Sequence, residues 1–151
     1  MHVTFRAATE ADALRIAEIY LNSRKQFLPY APLAHTDDEI REWTAQVLIP
    51  SGRVTVAVDN GSIVGFLAVS NDNSYGWIDQ IYLDPSVTGA GLGSDLVKLA
   101  KNQVAPPIRL YTFQQNEAAR RFYRRHGFRE IELTDGSGNE EKTPDVLLEW
   151  P

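Results

Sequence analysis

The stretch LDPSVTGAGLGSDL, residues 83–96, runs from an apolar strand pattern through three closely spaced glycines into a helical pattern. Such a succession can build an anion cradle. Gly89, Gly91 and Gly93 carry no Cβ, so the backbone can take tight or positive-φ geometry and aim successive N–H groups at one ligand. The helix that follows adds its unsatisfied first-turn donors and the positive end of its dipole, and both favour phosphate. Taken alone, the glycines are equally well explained as a turn before a helix.

Spacing narrows the choice of ligand. The glycines read G-x-G-x-G with Ser94 next, so the third glycine of the dinucleotide fingerprint is missing. No Gly-Lys-Ser/Thr follows, as a nucleotide P-loop requires. A nucleotide-binding protein is therefore the disfavoured reading.

Composition sets further bounds. At 151 residues with 43% apolar content, the chain is expected to form a single domain over residues 1–151 with a substantial core. Its eight prolines and ten glycines are scattered, without a repeat or a linker. No apolar run is long enough to span a bilayer, and the start MHVTFRAATEAD lacks a signal-peptide core, so a cytoplasmic protein with no membrane partner is expected. The absence of cysteine excludes disulfides, thiolate metal sites and a cysteine acyl-enzyme. His2, His35 and His126 show no metal-ligand spacing, so no metal is expected. A net charge of −5 argues against a nucleic-acid footprint and mildly favours neutral or cationic partners, although solubility alone accounts for such a charge in most domains.

Local patterns give the order of elements. Residues 3–7 read as a strand, and Thr9-Glu10-Ala11-Asp12 as a capping box opening a helix that runs to about Gln26. Thr36 to Glu39 repeats that signal, with Ile40, Trp43, Thr44, Val47 and Leu48 forming the apolar stripe of a second helix ended by Pro50. Residues 54–58 and 63–70 are β-rich runs joined through Asn60-Gly61, a strong hairpin turn, and residues 75–83 form the next strand. Leu92, Leu96, Leu99, Ala100 and Val104 then make a helical stripe stopped by Pro106-Pro107. Strand 108–113, helix 116–126 and strands 128–133 and 146–150 complete the chain. The order β-α-α-β-β-β-α-β-α-β-β predicts an α/β architecture with a mixed sheet.

A second motif lies at residues 116–128, NEAARRFYRRHGF. Asn116 reads as an N-cap, Ala119, Phe122 and Tyr123 share one side, and Gly127 stands where a left-handed cap would end the helix. His126 then reads as a last-turn partner of the helix dipole rather than a catalyst. In isolation this is an ordinary amphipathic helix.

Together the two segments resemble the two signatures of the GCN5-related N-acetyltransferase (GNAT) family. The first is similar to its pyrophosphate loop, Arg or Gln, two residues, Gly, one residue, then Gly or Ala, which falls on Thr88, Gly91 and Gly93. Thr88 departs from the pattern. The second resembles the family's Asn, Ala pair, aromatic-Tyr pair and Gly-Phe. The resemblance extends over nearly the whole chain, from Arg6-Ala7-Ala8-Thr9 to the terminal PDVLLEW. It implies the GNAT fold and acetyl-CoA as co-substrate. It places the cofactor cradle on Thr88, Gly89, Ala90, Gly91, Leu92, Gly93 and Ser94, and the strand that pairs with the pantetheine arm on Ile81, Tyr82 and Leu83. Asn116 matches the family's cofactor-contacting asparagine, with Ala119 and Phe122 in the same cofactor-binding set. Tyr123 matches the tyrosine that protonates the departing thiolate.

Acetyl transfer to an amine needs a neutral amine, a polarised carbonyl and a proton for the leaving sulfur, and without cysteine direct attack is the simpler scheme. Tyr123 is the candidate acid, because a phenol remains protonated at neutral pH. Asp79 is the candidate base: on an alternating strand Trp77, Asp79, Ile81 and Leu83 would share one face. A structural role for Asp79 is equally open. By analogy with the family, the acceptor pocket should come from residues 24–35 and 139–143, with Tyr30, Trp77 and Tyr111 as apolar walls. The expected activity is N-acetylation of a small-molecule or peptide amine, and the alternative is a catalytically idle acyl-CoA-binding module. The terminal strands are candidate contact edges for a homodimer.

Overall fold

Asn60 and Gly61 both take positive φ, 54° and 79°, which is the geometry a two-residue hairpin loop needs to match strand twist. They join β2 (Val54–Asp59) to β3 (Ser62–Asn71). The structure, a computed structural model, describes residues 2–151. Five further strands complete one mixed sheet: β1 (Val3–Ala7), β4 (Gly76–Leu83), β5 (Ile108–Phe113), β6 (Arg129–Leu133) and β7 (Asp145–Trp150). Their order is β1-β2-β3-β4-β5-β7-β6. Among the described residues only β4 and β5 run parallel, joined by a crossover through α3 (Leu92–Gln103). The architecture is the expected mixed α/β one. The last strand, β7, inserts between β5 and β6, so it is interior, and the edges of the sheet are the first strand, β1, and β6.

Helices cover both faces of the sheet. Alternation along the strands sends Val54, Val56, Phe66 and Ala68 to one face, where they pack with Ile16 and Ile19 of α1 (Ala13–Phe27). Ala57, Leu67 and Val69 go to the other, against Leu92, Leu96, Val97 and Ala100 of α3 and Tyr123 of α4 (Glu117–Arg125). Burial of these side chains is the main stabilising term, about 1.5–3 kcal/mol for each large aliphatic one.

Two stretches depart from regular geometry. α2 (Asp37–Trp43) opens with the expected capping box, Thr36 Oγ1 accepting from Glu39 N–H and Glu39 Oε1 accepting from Thr36 N–H. The chain then passes into a π-helical turn, Thr44–Leu48, and a 3-10 turn, Ile49–Ser51, that contains Pro50 instead of stopping before it. Widening the turn rotates the stripe. Ile40, Thr44, Leu48 and Ile49 are buried, whereas Trp43 and Val47 are 38% and 56% exposed.

The second departure is in β4. Gln80 pairs with Ala68 and Ile78 with Val69, so Asp79 is an extra residue, a β-bulge. The bulge breaks the alternation assumed in the sequence. Ile78, Ile81 and Leu83 pack against the α3 face, while Trp77 stacks on Tyr111 at 6.0 Å, so the predicted common face of Trp77, Asp79, Ile81 and Leu83 does not form.

Candidate active site

β4 and β5 pair only at Gly76 with Ile108 and Trp77 with Arg109. Beyond Trp77 they part, and the bulge at Asp79 gives the reason, because an unpaired extra residue bends and twists its strand. The gap leaves main-chain groups of β4 without a strand partner on that side and opens a cavity on each face of the sheet.

The cavity on the α3 and α4 side has a volume of about 560 Å³. It is lined by Ile81, Tyr82 and Leu83 of β4, Thr88 and Gly93 of the glycine loop and first turn of α3, and Asn116, Ala119, Phe122 and Tyr123 of α4 and its N-cap. The structure thus brings together nine of the predicted site residues, seven of them from the two motifs and Ile81 and Tyr82 from the strand before the first. Gly89 and Gly91 take φ of 85° and 82°, and a Cβ on either would meet no atom within 4 Å. Gly93 differs: it lies inside α3, and its missing side chain makes room for Phe122. Among the described residues, no main-chain acceptor pairs with the N–H groups of residues 88–94. These free donors, with Gly91 as N-cap of α3, fit a phosphate-bearing ligand. The other cradle positions do not line the cavity. Gly89, Ala90 and Gly91 lie exposed before it, Leu92 is 1% exposed in the core, and the Ser94 hydroxyl faces His126 Nε2 at 3.0 Å. Thr88 Oγ1 donates to Pro85 O at 3.2 Å, so its side chain closes the preceding turn.

Asn116 caps α4, its Oδ1 accepting from Ala119 N–H at 3.2 Å. Tyr123 is 7% exposed, and burial, reinforced by neighbouring Tyr82, raises its hydroxyl well above the usual phenol range. The group therefore holds its proton at neutral pH.

A larger cavity, about 1020 Å³, lies on the α1 and α2 side. The two cavities share Asp79, Gln80, Tyr82, Tyr111, Thr112 and Phe113, so they meet at the gap between β4 and β5. Asp79 stands on the shared wall, and partial desolvation raises its carboxyl above the ordinary range. The C-terminal part of α1 borders both cavities, through Ser23 and Phe27 in the smaller and Tyr20 and Arg24 in the larger, so the two spaces adjoin at the gap.

Residues 16–128 match the acetyltransferase (GNAT) family. The chain belongs to that family. It is similar to the peptidyl-lysine N-acetyltransferase YjaB of Escherichia coli, 34% identical over 82 residues, which span 54% of this chain and 52% of that protein, about half of each. YjaB of Salmonella typhimurium is 26% identical over 133 residues, 85% of either chain. The solution structure of apo YjaB from Escherichia coli superposes with a TM-score of 0.79 at 23% identity, covering 99% of this chain and 98% of that one. The PaiA N-acetyltransferase of Thermoplasma acidophilum, solved with coenzyme A, gives 0.75 at 21% identity over 99% and 98%. At these identities the two structures show the shared fold.

In this GNAT chain the larger cavity takes Arg24 and His35 from one predicted acceptor segment and Asn139, Glu140 and Glu141 from the other, together with Tyr111. Tyr30 and Trp77 line neither of these cavities: Tyr30 packs edge-on against Phe113, and Trp77 donates to Asp72 Oδ2 at 2.8 Å. Arg24 is 5% exposed, pairs with Glu141 at 3.3 Å and sits over the Phe113 ring. His126 is the C-cap of α4, and desolvation, then Lys101, Lys98 and Arg125, lower its pKa. Its ring joins α4 to α3 through Ser94, and the lowered pKa, set first by desolvation, disfavours the charged form that a dipole partner would need. Sequence reading missed Glu42, Trp43 and Val47 on the cavity wall. For Trp43 and Val47 the signal was an apolar stripe wider than the core needed; Glu42 gave none.

Proposed function

We propose that the protein transfers an acetyl group from acetyl-CoA directly to a primary amine. The observation that carries this reading is the meeting of two cavities at the β4–β5 gap, with Asp79 on the common wall and Tyr123 in the smaller cavity. The free N–H groups of residues 88–94 hold the diphosphate, and the unpaired edge of β4 from Ile81 to Leu83 receives an extended amide-bearing arm as an added strand. The coenzyme supplies an acetyl thioester. Asp79 accepts the amine proton, directly or through water, and Tyr123 Oη delivers a proton to the departing sulfur. Membership of the acetyltransferase family and the coenzyme A bound by the PaiA relative support the donor. The acceptor class is a peptide lysine, in keeping with the name of the YjaB relatives.

The test is release of free thiol from acetyl-CoA in the presence of lysine peptides and simple amines, with calorimetry of coenzyme A alone. Turnover above the acceptor-free rate is expected. Binding without turnover on any acceptor would instead establish an idle acyl-CoA-binding module.

A further inference from the structure

The larger cavity is strongly acidic. Seven carboxylate side chains line it, against one arginine and one histidine. Several are internally matched: Asp145 accepts from Asn139 and Thr134, Glu141 faces Arg24, and Glu39 and Glu140 both approach His35, at 3.9 and 3.1 Å. Glu42 and Asp135 form no ion pair among the described residues, and Asp79 has only Arg53 acting on it from a distance. At about 1020 Å³ the cavity also exceeds what a single aminobutyl arm fills, so the acceptor reaches well beyond its reacting nitrogen. Like-signed charges around a concave wall concentrate cations there.

Arg24 supplies an independent observation. It is 5% exposed and lines the same cavity, yet its Nε has no hydrogen-bond partner, and its three hydrogen bonds, to Tyr20 Oη, Ala31 O and Glu141 Oε1, are long at 3.2–3.3 Å, with Tyr82 also near the guanidinium. Nε is sealed, but Nη1 makes one of these bonds and carries a second N–H, so the guanidinium can take an oxygen acceptor from the cavity. A peptide carbonyl is one; a protonated polyamine has none.

We infer that the acceptor is a lysine within a basic peptide segment, its flanking cations held by Glu42 and Asp135 and its backbone by Arg24. This rests on the acetyl-transfer reading above and specifies its substrate.

The experiment measures thiol release with three single-lysine peptides, N-acetylated and flanked by arginine, by alanine or by glutamate, and with spermidine. The arginine-flanked peptide is expected to exceed the alanine-flanked one by about tenfold in kcat/KM, a preference that shrinks as salt is raised. The variant Glu42→Gln/Asp135→Asn should reduce that ratio to about threefold or less. Glu132→Gln, which makes the same kind of charge change on exposed β6 outside the cavity, should keep it. Equal rates on the three peptides would overturn the inference while leaving acetyl transfer intact. Faster turnover of spermidine than of any peptide would overturn it in favour of a polyamine acceptor. No release with any acceptor would overturn acetyl transfer and this inference together.

Discussion

Gly93 and Phe122 meet across the start of α3, where a methyl group on residue 93 would lie 3.3 Å from Phe122 Cζ. The contact ties the first turn of one helix to the aromatic wall of the smaller cavity, beside Tyr123.

Gly93→Ala separates stability from ligand fit. Alanine gains up to about 1 kcal/mol of helix propensity over glycine, and a few tenths of an ångström of ring movement offsets that gain. The melting temperature should move by about 3 °C or less. The KM for acetyl-CoA should rise by about fivefold, since small displacements beside a reacting site cost more rate than stability. Steady-state kinetics beside a melting curve check both; an unchanged KM would place Gly93 outside the donor site.

Tyr123→Phe should lower kcat by about 10²-fold and leave the KM for acetyl-CoA within about twofold, because the hydroxyl is needed only as charge develops on sulfur. Since burial raises the Tyr123 hydroxyl, no alkaline fall in rate from this group is expected at physiological pH. Wild-type kcat in the variant would remove the hydroxyl from the reaction.

Asp79→Asn tests the base through pH. The base acts deprotonated, so kcat/KM should fall as the medium is acidified through the raised pKa of Asp79, and the variant should lose that limb along with about 10²-fold or more in rate. Stability runs the other way. A carboxyl raised in the fold binds its proton more tightly there than in the unfolded chain, so its ionisation weakens the fold above that range. The variant should therefore melt at or slightly above the wild-type temperature at pH 7. An acidic limb retained in Asp79→Asn would assign the base elsewhere.

That bulge marks the boundary of what could be read from sequence. The Asn60-Gly61 turn, the Thr36 capping box and the left-handed Gly127, φ 89°, are local devices, and each stands where its residues placed it. So do the glycine loop and the Asn116 cap, which is why most of the smaller cavity was legible. The bulge at Asp79, the π-helical turn at Thr44–Leu48 and the insertion of β7 between β5 and β6 depend on partners distant in sequence. No periodicity within a segment encodes them. The larger cavity is built from those three features. Its acidic wall stayed hidden because Glu42, Asp79 and Asp135 lie in separate elements and read singly as solvated charges.

Arg24 and Glu141 allow the last separation, between holding the acceptor loop and contacting the acceptor. Their side chains are 5% and 16% exposed, and the pair joins α1 to the β6–β7 connection across the larger cavity. Removing one member leaves the other charge partly buried and unmatched, so Arg24→Met should cost about 3 kcal/mol in unfolding free energy. Replacing both, Arg24→Met with Glu141→Leu, removes the orphaned charge and should restore most of that loss. If Arg24 serves only as a brace, the double variant recovers the acceptor KM as well. If it donates to the acceptor, the KM for a lysine peptide stays about tenfold high in both variants while the KM for acetyl-CoA stays near wild type, because a lost hydrogen bond from a charged group costs about 1.5 kcal/mol or more. The second pattern is the expected one. Denaturant titrations paired with KM values for each substrate distinguish the two.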